Sequence, residues 1–268
     1  MGLYGLLGES LKHSISPLIH STIFKELNIE GTYELFEIEK EEVENTINKF
    51  RDIGVVGVNV TIPYKTTVMK YIDEITSEAK KIGAVNTICF KDKKTVGYNT
   101  DYAGFGMMLK KNEIYIKGAK AVVLGSGGAA KAVTTYLIDS GIGEITIVSR
   151  GANKIEDIHD KKEINIIPYS EISSLNAKDI IINCTPCGMY PNVDRCPIEK
   201  SSIAKFSTAI DLIYNPKETL FLKHAKKLNM KAVNGLYMLI GQAVRAQELW
   251  HDIKISTETI NSVYERLR

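Results

Sequence analysis

The sequence predicts a two-domain α/β protein, and three of its features support that fold class. Its 268 residues are enough for two compact domains of ordinary size, with a sizeable core and a cleft between them. Short apolar runs alternate with amphipathic stretches, as in sheets that are covered by helices. A glycine-rich turn near the middle of the chain follows a β-branched run and precedes an amphipathic segment, which is typical of a βαβ unit.

The first hundred residues predict a sheet with helices between its strands. Strands are expected at residues 3–7, 33–38, 55–60, 85–90 and 95–98. Ser16 and Pro17 mark a helix start, with the serine as the capping residue and the proline at the first helical position. The buried stripe of this helix is expected to contain Leu18, Ile19, Ile23, Phe24 and Leu27. A second helix at residues 41–50 is followed by a stop signal at Gly54.

From about residue 102 the pattern predicts a second unit. A helix is expected at residues 102–111, and a strand at 121–124 leads into the glycine-rich turn. An amphipathic segment to Ser140 and a strand at 145–149 then complete a βαβ unit of about 30 residues. Further elements are expected as strands at 180–183, 209–212 and near Ala232, and as a helix at 220–228.

The bulk composition excludes several classes of partner. With 34 basic and 32 acidic residues the net charge is +2, which provides no field for binding nucleic acid or an anionic membrane. No apolar run approaches the roughly 20 residues of a membrane-spanning helix, and the first residues lack the layout of a signal peptide. Four cysteines are too few for a disulfide scaffold. We therefore expect a cytoplasmic protein.

The glycine-rich turn, GSGGAA at residues 125–130, predicts a dinucleotide site. Gly125 would allow a tight turn, Gly127 would let backbone amides approach a pyrophosphate, and the small Ala130 would let helix and strand pack closely. Ser126, Gly128 and Ala129 complete the turn and are expected to contact the cofactor.

The end of the next strand indicates which dinucleotide binds. An acidic residue at that place would bond the ribose hydroxyls of NAD, whereas this chain has Ser149 and Arg150. Arg150, with Lys154 or Lys131, is expected to pair with the 2′-phosphate of NADP. The alternative is a solvated surface arginine without a ligand.

Several polar residues of the first unit stand at strand ends and in turns, where side chains often line a site. They are Ser14, Ser16, Asn59, Thr61, Lys65, Asn86, Asn99, Thr100 and Asp101. Hydroxyl and amide groups suit a polyhydroxylated ligand, and Ser14 and Ser16 near a helix start suit a carboxylate. Taken singly, each is more often a cap or a turn residue.

These segments resemble the successive signatures of the shikimate dehydrogenase family, in the same order and over nearly the whole chain. The first-unit signatures are HSISP (13–17), NVTIPYK (59–65), GAVNT (83–87) and GYNTD (97–101). The later blocks are GSGGAA (125–130), NCT (183–185), DLIYNP (211–216) and GLYML (235–239), followed by Gln242.

The resemblance implies an NADP-dependent oxidoreductase that interconverts 3-dehydroshikimate and shikimate in chorismate biosynthesis. It implies a substrate domain with a mixed sheet, residues 1–101 and 236–268, to which the C-terminal helices return, and a Rossmann-type NADP domain, residues 102–235. The implied substrate contacts are Ser14, Ser16, Thr61, Asn86, Tyr214 and Gln242, with Asn59 in support. The implied cofactor contacts are Gly125, Ser126, Gly127, Gly128, Ala129, Ser149, Arg150, Lys154, Thr185, Leu212, Gly235 and Met238. We expect a small-molecule substrate, no metal, and a monomer or a homodimer.

Lys65 and Asp101 are the catalytic residues that the resemblance implies. Ketone reduction needs a hydride on carbon and a proton on oxygen, and Lys65 is the candidate donor of that proton. A carboxylate at Asp101 would favour the charged form of the lysine, so that the reverse reaction would need high pH. Which of the two residues transfers the proton stays open, because two coupled groups share their titration. Without the surrounding motifs, the pair would be read as a surface ion pair.

Three rival interpretations remain at this stage. A quinate/shikimate dehydrogenase that uses NAD or NADP would need only a roomier pocket. A non-catalytic nucleotide sensor would be marked by loss of Lys65 or Asp101, and both are present. The Cys184–Cys187 spacing would suit a redox or metal pair, but no histidine or second close pair completes a metal site.

Overall fold

The structure is a computed structural model that describes residues 1–151, 164–176 and 178–268. The described chain forms two compact units, Met1–Gly104 with Ile240–Arg268, and Phe105–Leu239. Both are α/β, which confirms the predicted fold class. The division falls within two helices, Thr100–Lys111 and Leu236–His251.

The strands are numbered in chain order. They are β1 Gly2–Gly8, β2 Gly31–Glu37, β3 Gly57–Val60, β4 Glu74–Ile75, β5 Thr87–Lys91, β6 Lys94–Tyr98, β7 Lys120–Leu124, β8 Glu144–Val148, β9 Ile164–Ile167, β10 Ile180–Asn183, β11 Thr208–Asp211 and β12 Lys231–Val233.

The helices are α1 Ser16–Leu27, α2 Val43–Ile53, α3 Ser77–Ile82, α4 Thr100–Lys111, α5 Gly128–Asp139, α6 Lys200–Ile203, α7 Leu220–Lys227, α8 Leu236–His251 and α9 Thr257–Leu267. Short 3₁₀ turns are present at Lys40–Glu42, Thr67–Lys70 and Tyr169–Ser174.

The first unit contains a mixed six-stranded sheet in the order β2-β1-β3-β5-β6-β4. Strands β1, β2 and β3 run parallel, and β5 is antiparallel to both β3 and β6. The strand ends of this sheet carry most of the polar residues singled out in the sequence. The mixed sheet therefore positions the candidate substrate residues.

Helix α2 shows how the sequence builds this unit. Val43, Ile47 and Phe50 recur at helical spacing and are fully or almost fully buried. Each such buried apolar side chain contributes roughly 1.5–3 kcal/mol. Gly54 then ends the helix in the left-handed conformation, at φ 73°, and the N–H of Val55 bonds to the carbonyl of Phe50. The predicted helix, stripe and stop signal are all present.

The second unit contains a parallel sheet in the order β12-β11-β10-β7-β8-β9. Counted within the unit, this is the strand order 6-5-4-1-2-3 of a dinucleotide-binding fold, and the order reverses between β7 and β10. Ligands of such sheets bind at the carboxyl ends of the strands, next to that reversal point. The glycine-rich turn follows β7 directly.

Two details of α1 differ from the prediction. Ser16 is not the capping residue: Ile15 occupies that position, and the N–H of Ser16 bonds instead to Ser14 Oγ at 3.2 Å. Leu18 is 55% exposed, because it lies on the outer face while Ile19, Ile23 and Phe24 carry the packing. Strands β4 and β9 and helices α3 and α6 were not predicted, and most of them are too short for a periodic pattern.

Candidate active site

Lys65 and Asp101 form a direct ion pair in the first unit. Lys65 Nζ donates to Asp101 Oδ2 at 2.6 Å, and the two side chains are 16% and 2% exposed. The carboxylate is therefore almost entirely shielded while the ammonium group keeps some access to solvent. An exposed surface pair would leave both groups in water, so the surface alternative does not describe this geometry.

The turn after β3 fixes the lysine. Tyr64 is fully buried, and its hydroxyl donates to the carbonyl of Ile38 at 2.7 Å. Its backbone N–H bonds to the carbonyl of Thr61 at 2.9 Å, which closes the turn just before Lys65. The carbonyl of Lys65 in turn accepts from the N–H of Val85 at 2.8 Å. The lysine backbone is thus held on both sides.

The aspartate is placed by the start of α4. Asn86 Oδ1 accepts from the N–H of Thr100 at 2.6 Å and from its hydroxyl at 3.2 Å, so Asn86, the residue just before β5, caps this helix. Asn99 Nδ2 bonds to the carbonyl of Ala84 at 3.0 Å, which fixes the residue before the helix. Asp101 lies in the first turn, where the helix dipole favours a negative charge. Asn86 therefore fixes the start of the helix whose first turn carries Asp101.

The two serines of the first signature lie side by side. Ser14 Oγ donates to Ser16 Oγ at 3.1 Å, and both side chains are partly buried at the start of α1. Tyr33 on β2 has a polar contact with Ser16, and its hydroxyl donates to Asn59 Oδ1 at 2.8 Å. Burial raises the pKa of Tyr33 well above its usual value, while the contact with Ser16 acts in the opposite direction. Tyr33 is therefore a neutral donor.

A chain of hydrogen bonds connects this tyrosine to Asn86. Asn59 Nδ2 donates to Thr87 Oγ1 at 3.0 Å, and Thr87 Oγ1 donates to Asn86 Oδ1 at 3.2 Å. Asn59 bonds to Tyr33 and Thr87, as expected of a residue that supports the substrate contacts without taking part in the reaction. Tyr33 was not predicted, although a partly buried tyrosine usually finds a partner for its hydroxyl group.

His20 and Gln247 extend the network behind Tyr33. The His20 ring stacks on the Tyr33 ring at a centroid distance of 4.0 Å, and Gln247 Nε2 lies 2.7 Å from His20 Nδ1. Burial lowers the pKa of His20 to about 3, so this ring is neutral near pH 7. A neutral ring accepts the Gln247 bond at Nδ1. Neither residue was predicted.

The other predicted substrate residues are placed as follows. Thr61 begins the turn after β3 and is partly buried, with its N–H bonded to the carbonyl of Leu7 at 3.0 Å. Gln242 lies partly buried on α8 within the first unit. Tyr214 belongs to the second unit and follows β11.

The glycine-rich turn has the shape that a pyrophosphate needs. Gly125 has φ +106°, a conformation that glycine tolerates and other residues rarely adopt. A side chain built on Gly127 would meet no atom within 4 Å, so open space adjoins this backbone. Helix α5 is 12 residues long and begins at Gly128, within the turn. Its first N–H groups and the positive end of its dipole therefore lie at the turn. Ala130 is buried. These residues fit a dinucleotide.

The end of β8 lies beside this turn. Ser126 Oγ and Ser149 Oγ are 3.0 Å apart, and the N–H of Gly151 donates to Ser149 Oγ at 3.3 Å. Ser149 is buried, whereas Arg150 is exposed and carries the positive charge that a 2′-phosphate would need. Lys154 lies outside the described residues.

Three further predicted cofactor residues occupy the carboxyl ends of β10 to β12. Thr185 lies against the glycine-rich turn: its Cγ2 is 3.0 Å from the position that a Cβ of Gly125 would take. Gly235 approaches Leu212 so closely that its Cβ would lie 1.9 Å from the Leu212 carbonyl oxygen, so only glycine fits there. Met238 is buried on α8.

No group of three or more metal-binding side chains is found among residues 1–151, 164–176 and 178–268. None of the four cysteines forms a disulfide, and burial raises the pKa of Cys187. Raised thiol pKa values disfavour the reactive thiolate that a redox pair requires. Over the same described parts of the chain, no helix is both long and apolar enough to cross a membrane.

Comparisons with known proteins agree with this geometry. Residues 6–88 match the family model described as the shikimate dehydrogenase substrate binding domain, and residues 108–209 match the model for shikimate / quinate 5-dehydrogenase. A relative from Clostridium beijerinckii, named shikimate dehydrogenase (NADP(+)), is 52% identical over 98% of this chain and 97% of its own. The chain belongs to the shikimate dehydrogenase family.

Solved structures of family members share the fold over its full extent. Shikimate dehydrogenase 1 from Peptoclostridium difficile is 46% identical, with a TM-score of 0.95, and the match covers 100% of this chain and 98% of that one. Shikimate 5-dehydrogenase from Thermus thermophilus, solved with NADP(H) and shikimate, is 29% identical, with a TM-score of 0.89 and full coverage of both chains. The predicted family, enzyme class and NADP cofactor are confirmed.

Proposed function

We propose that this member of the shikimate dehydrogenase family reduces 3-dehydroshikimate reversibly to shikimate with NADPH, using Lys65 and Asp101 to handle the proton. The ion pair between Lys65 Nζ and Asp101 Oδ2, 2.6 Å long and largely shielded from water, is the observation that carries this assignment.

Lys65 donates the proton in the direction of reduction. NADPH, when bound, supplies the hydride that adds to the carbonyl carbon. An ammonium group has three N–H donors, and the bond to Asp101 uses one of them. The others can reach a carbonyl oxygen, polarise it and deliver a proton as the alkoxide forms. Asp101 holds the ammonium in place, and in the oxidative direction the pair takes the proton back.

The remaining residues of the first unit hold the substrate. Ser14 and Ser16, beside the start of α1, suit the carboxylate of the substrate. Asn86 uses its side-chain oxygen to cap α4, so only its Nδ2 can serve a ligand, as a donor to a hydroxyl oxygen. Thr61 and Gln242 supply further polar groups, and Tyr214 from the second unit is assigned to the substrate as well.

The second unit holds NADP. The turn formed by Gly125, Ser126, Gly127, Gly128 and Ala129 would hold the pyrophosphate, and Arg150 would pair with the 2′-phosphate. Ser149 is assigned to the same phosphate, as is Lys154, which lies outside the described residues. Thr185, Leu212, Gly235 and Met238 are assigned to the rest of the cofactor. On this assignment residues 1–101 and 236–268 form the substrate domain and residues 102–235 the NADP domain. The absence of disulfides among the four cysteines supports a cytoplasmic location.

The decisive experiment follows the nicotinamide absorbance of the purified protein with shikimate and with quinate, each with NADP and with NAD. We expect turnover confined to shikimate with NADP, rising with pH because oxidation releases a proton. Turnover of quinate, or equal rates with NAD, would instead indicate a quinate/shikimate dehydrogenase. Absence of turnover in all four combinations would contradict the proposal and favour a nucleotide sensor.

A further inference from the structure

A buried carboxylate in the second unit has no role in the chemistry described above. Asp211 is the last residue of β11 and is fully buried. Its register partner is Asn183, the last residue of β10, and the partner of Asn183 on the other side is Leu124, the last residue of β7. Three neighbouring strands therefore end at the same level, and the glycine-rich turn begins immediately after Leu124.

Asp211 and the carbonyl of Cys187, which accepts from Asn183 Nδ2 at 3.3 Å, together orient the Asn183 side chain. Asn183 Nδ2 donates to Asp211 Oδ1 at 3.0 Å, and only the amide nitrogen can face a carboxylate favourably. The amide oxygen consequently points the other way and accepts two bonds from Thr185, from its N–H at 3.0 Å and from its hydroxyl at 2.6 Å. The carboxylate thus acts on Thr185 through one intervening residue.

Thr185 is locked by these bonds. Its hydroxyl hydrogen is committed to Asn183, and its Oγ1 accepts from the N–H of Cys187 at 3.2 Å. The side-chain rotamer is thereby fixed, with the methyl carbon 3.0 Å from the place that a Cβ of Gly125 would occupy. The methyl group therefore packs against the first glycine of the nucleotide turn.

The same carboxylate also fixes the loop after β11. Asp211 Oδ2 accepts from the Thr219 hydroxyl at 2.6 Å, and Oδ1 accepts from the N–H of Ile213 at 3.1 Å. Thr219 caps α7 through the N–H of Leu222. A buried carboxylate is costly, and such groups are weak contributors to stability by themselves. Its three partners and its position at the strand ends indicate a positioning role.

We propose that Asp211 is a positioning residue for NADP, which acts through Asn183 to hold Thr185 against the glycine-rich turn. This inference rests on the proposed function, because it assigns the turn to NADP. It predicts that loss of the carboxylate affects cofactor affinity far more than the rate of the chemical step.

The test compares Asp211→Ala and Asp211→Asn with the unaltered protein. Affinity for NADPH is measured by its fluorescence in the absence of substrate, and kcat and the KM for NADP and shikimate are measured separately. For Asp211→Ala we expect NADPH binding to weaken about 10-fold or more, with kcat changed less than about 3-fold. Asp211→Asn keeps an oxygen that accepts from Asn183 and should restore affinity to within about 3-fold.

Asn183→Ala provides a second route if Asp211→Ala does not fold. It should weaken NADPH binding as much as Asp211→Ala, and the double variant should be no weaker than either single one, because both act through the same link. Asp179→Ala is the control: its carboxylate accepts from the N–H of Lys120 at the opposite end of the same sheet, and NADPH affinity should not change.

Unchanged NADPH affinity in Asp211→Ala or Asn183→Ala would overturn the inference, as would an equal loss in the Asp179 control. Additive losses in the double variant would also contradict it. These outcomes are distinguishable from a failure of the proposed function. In that case the unaltered protein would not turn over shikimate with NADP, whatever its affinity for NADPH.

Discussion

Asn86 Oδ1 accepts from the N–H of Thr100 at 2.6 Å, so the residue just before β5 caps the helix that carries Asp101. The first four N–H groups of a helix have no partner within it, and a side-chain oxygen that satisfies one of them fixes where the helix begins. The position of the Asp101 carboxylate, which we propose to be catalytic, therefore depends on Asn86 as well as on its ion pair with Lys65.

Replacing Asn86 with alanine tests this dependence. We expect Asn86→Ala to lower the free energy of unfolding by about 1–2 kcal/mol, and to lower kcat because Asp101 is no longer fixed. Denaturant unfolding and steady-state kinetics measure the two effects. Asn112→Ala is the control, since Asn112 Nδ2 bonds to the Met108 carbonyl at the other end of the same helix. An equal fall of kcat in both variants would contradict the prediction.

Replacing Lys65 with alanine tests the proton donor. We expect Lys65→Ala to keep its fold and its NADPH affinity while kcat falls by about 10²–10⁴-fold, the range for loss of a general acid. Circular dichroism, NADPH fluorescence and steady-state rates measure these three properties. Lys70→Ala removes an exposed lysine from the nearby 3₁₀ turn and should leave all of them unchanged. Near-normal turnover of Lys65→Ala would rule out the mechanism.

Removing the Tyr33 hydroxyl tests the support of the substrate site. We expect Tyr33→Phe to raise the KM for shikimate about 3–10-fold with little change in kcat, because Asn59 Oδ1 and Ser16 lose a polar partner. Tyr4→Phe is matched to it, since the Tyr4 hydroxyl pairs with His251 Nε2 at 3.2 Å in the same unit. A similar KM for the two variants would show that the Tyr33 network does not serve the substrate.

The features that could be predicted from the sequence are those that depend on local order. The spacing of Val43, Ile47 and Phe50 fixes a helix face, and GSGGAA after a β-branched run fixes a strand, a turn and a helix. Lys65 and Asp101 were recognised from family signatures, and the structure brings them into contact. In each of these cases a short stretch of sequence is enough to predict the element or to recognise the site residue.

The features that could not be predicted depend on partners that are distant in sequence. His20 and Gln247 are 227 positions apart, and no local pattern connects them. Ser16 was expected to cap α1 because Pro17 follows it, but the bond runs from its N–H to Ser14 instead. Asp211 belongs to the recognised block DLIYNP, yet its contact with Asn183 arises only from the register of β10 with β11.

The buried His20 makes stability depend on pH. Burial lowers the pKa of its ring to about 3, whereas the unfolded chain binds the same proton near pH 6.5. Below about pH 6.5 the unfolded state therefore holds more protons, and stability falls with decreasing pH by up to about 1.4 kcal/mol per pH unit.

Replacing His20 with glutamine should remove this contribution. Glutamine can still accept the Gln247 bond, but it has no proton to gain. Unfolding free energies of the unaltered protein and of His20→Gln, measured between about pH 4.5 and 7.5, should give a shallower slope for the variant. Other groups, such as Asp73 with its lowered pKa, act equally in both proteins. Parallel slopes would show that His20 titrates normally in the folded state.

The exposed Arg150 should set the preference for NADP over NAD. A charge-assisted bond to a phosphate is worth about 1.5–3 kcal/mol, so Arg150→Ala should raise the KM for NADP about 10–100-fold. The KM for NAD, which has no 2′-phosphate, should stay within about 3-fold. Lys223→Ala removes an exposed positive charge from α7 and should change neither KM, which controls for the change in net charge. An equal rise of both KM values would show that Arg150 contacts a group that NADP and NAD share. Other residues would then have to distinguish the two cofactors.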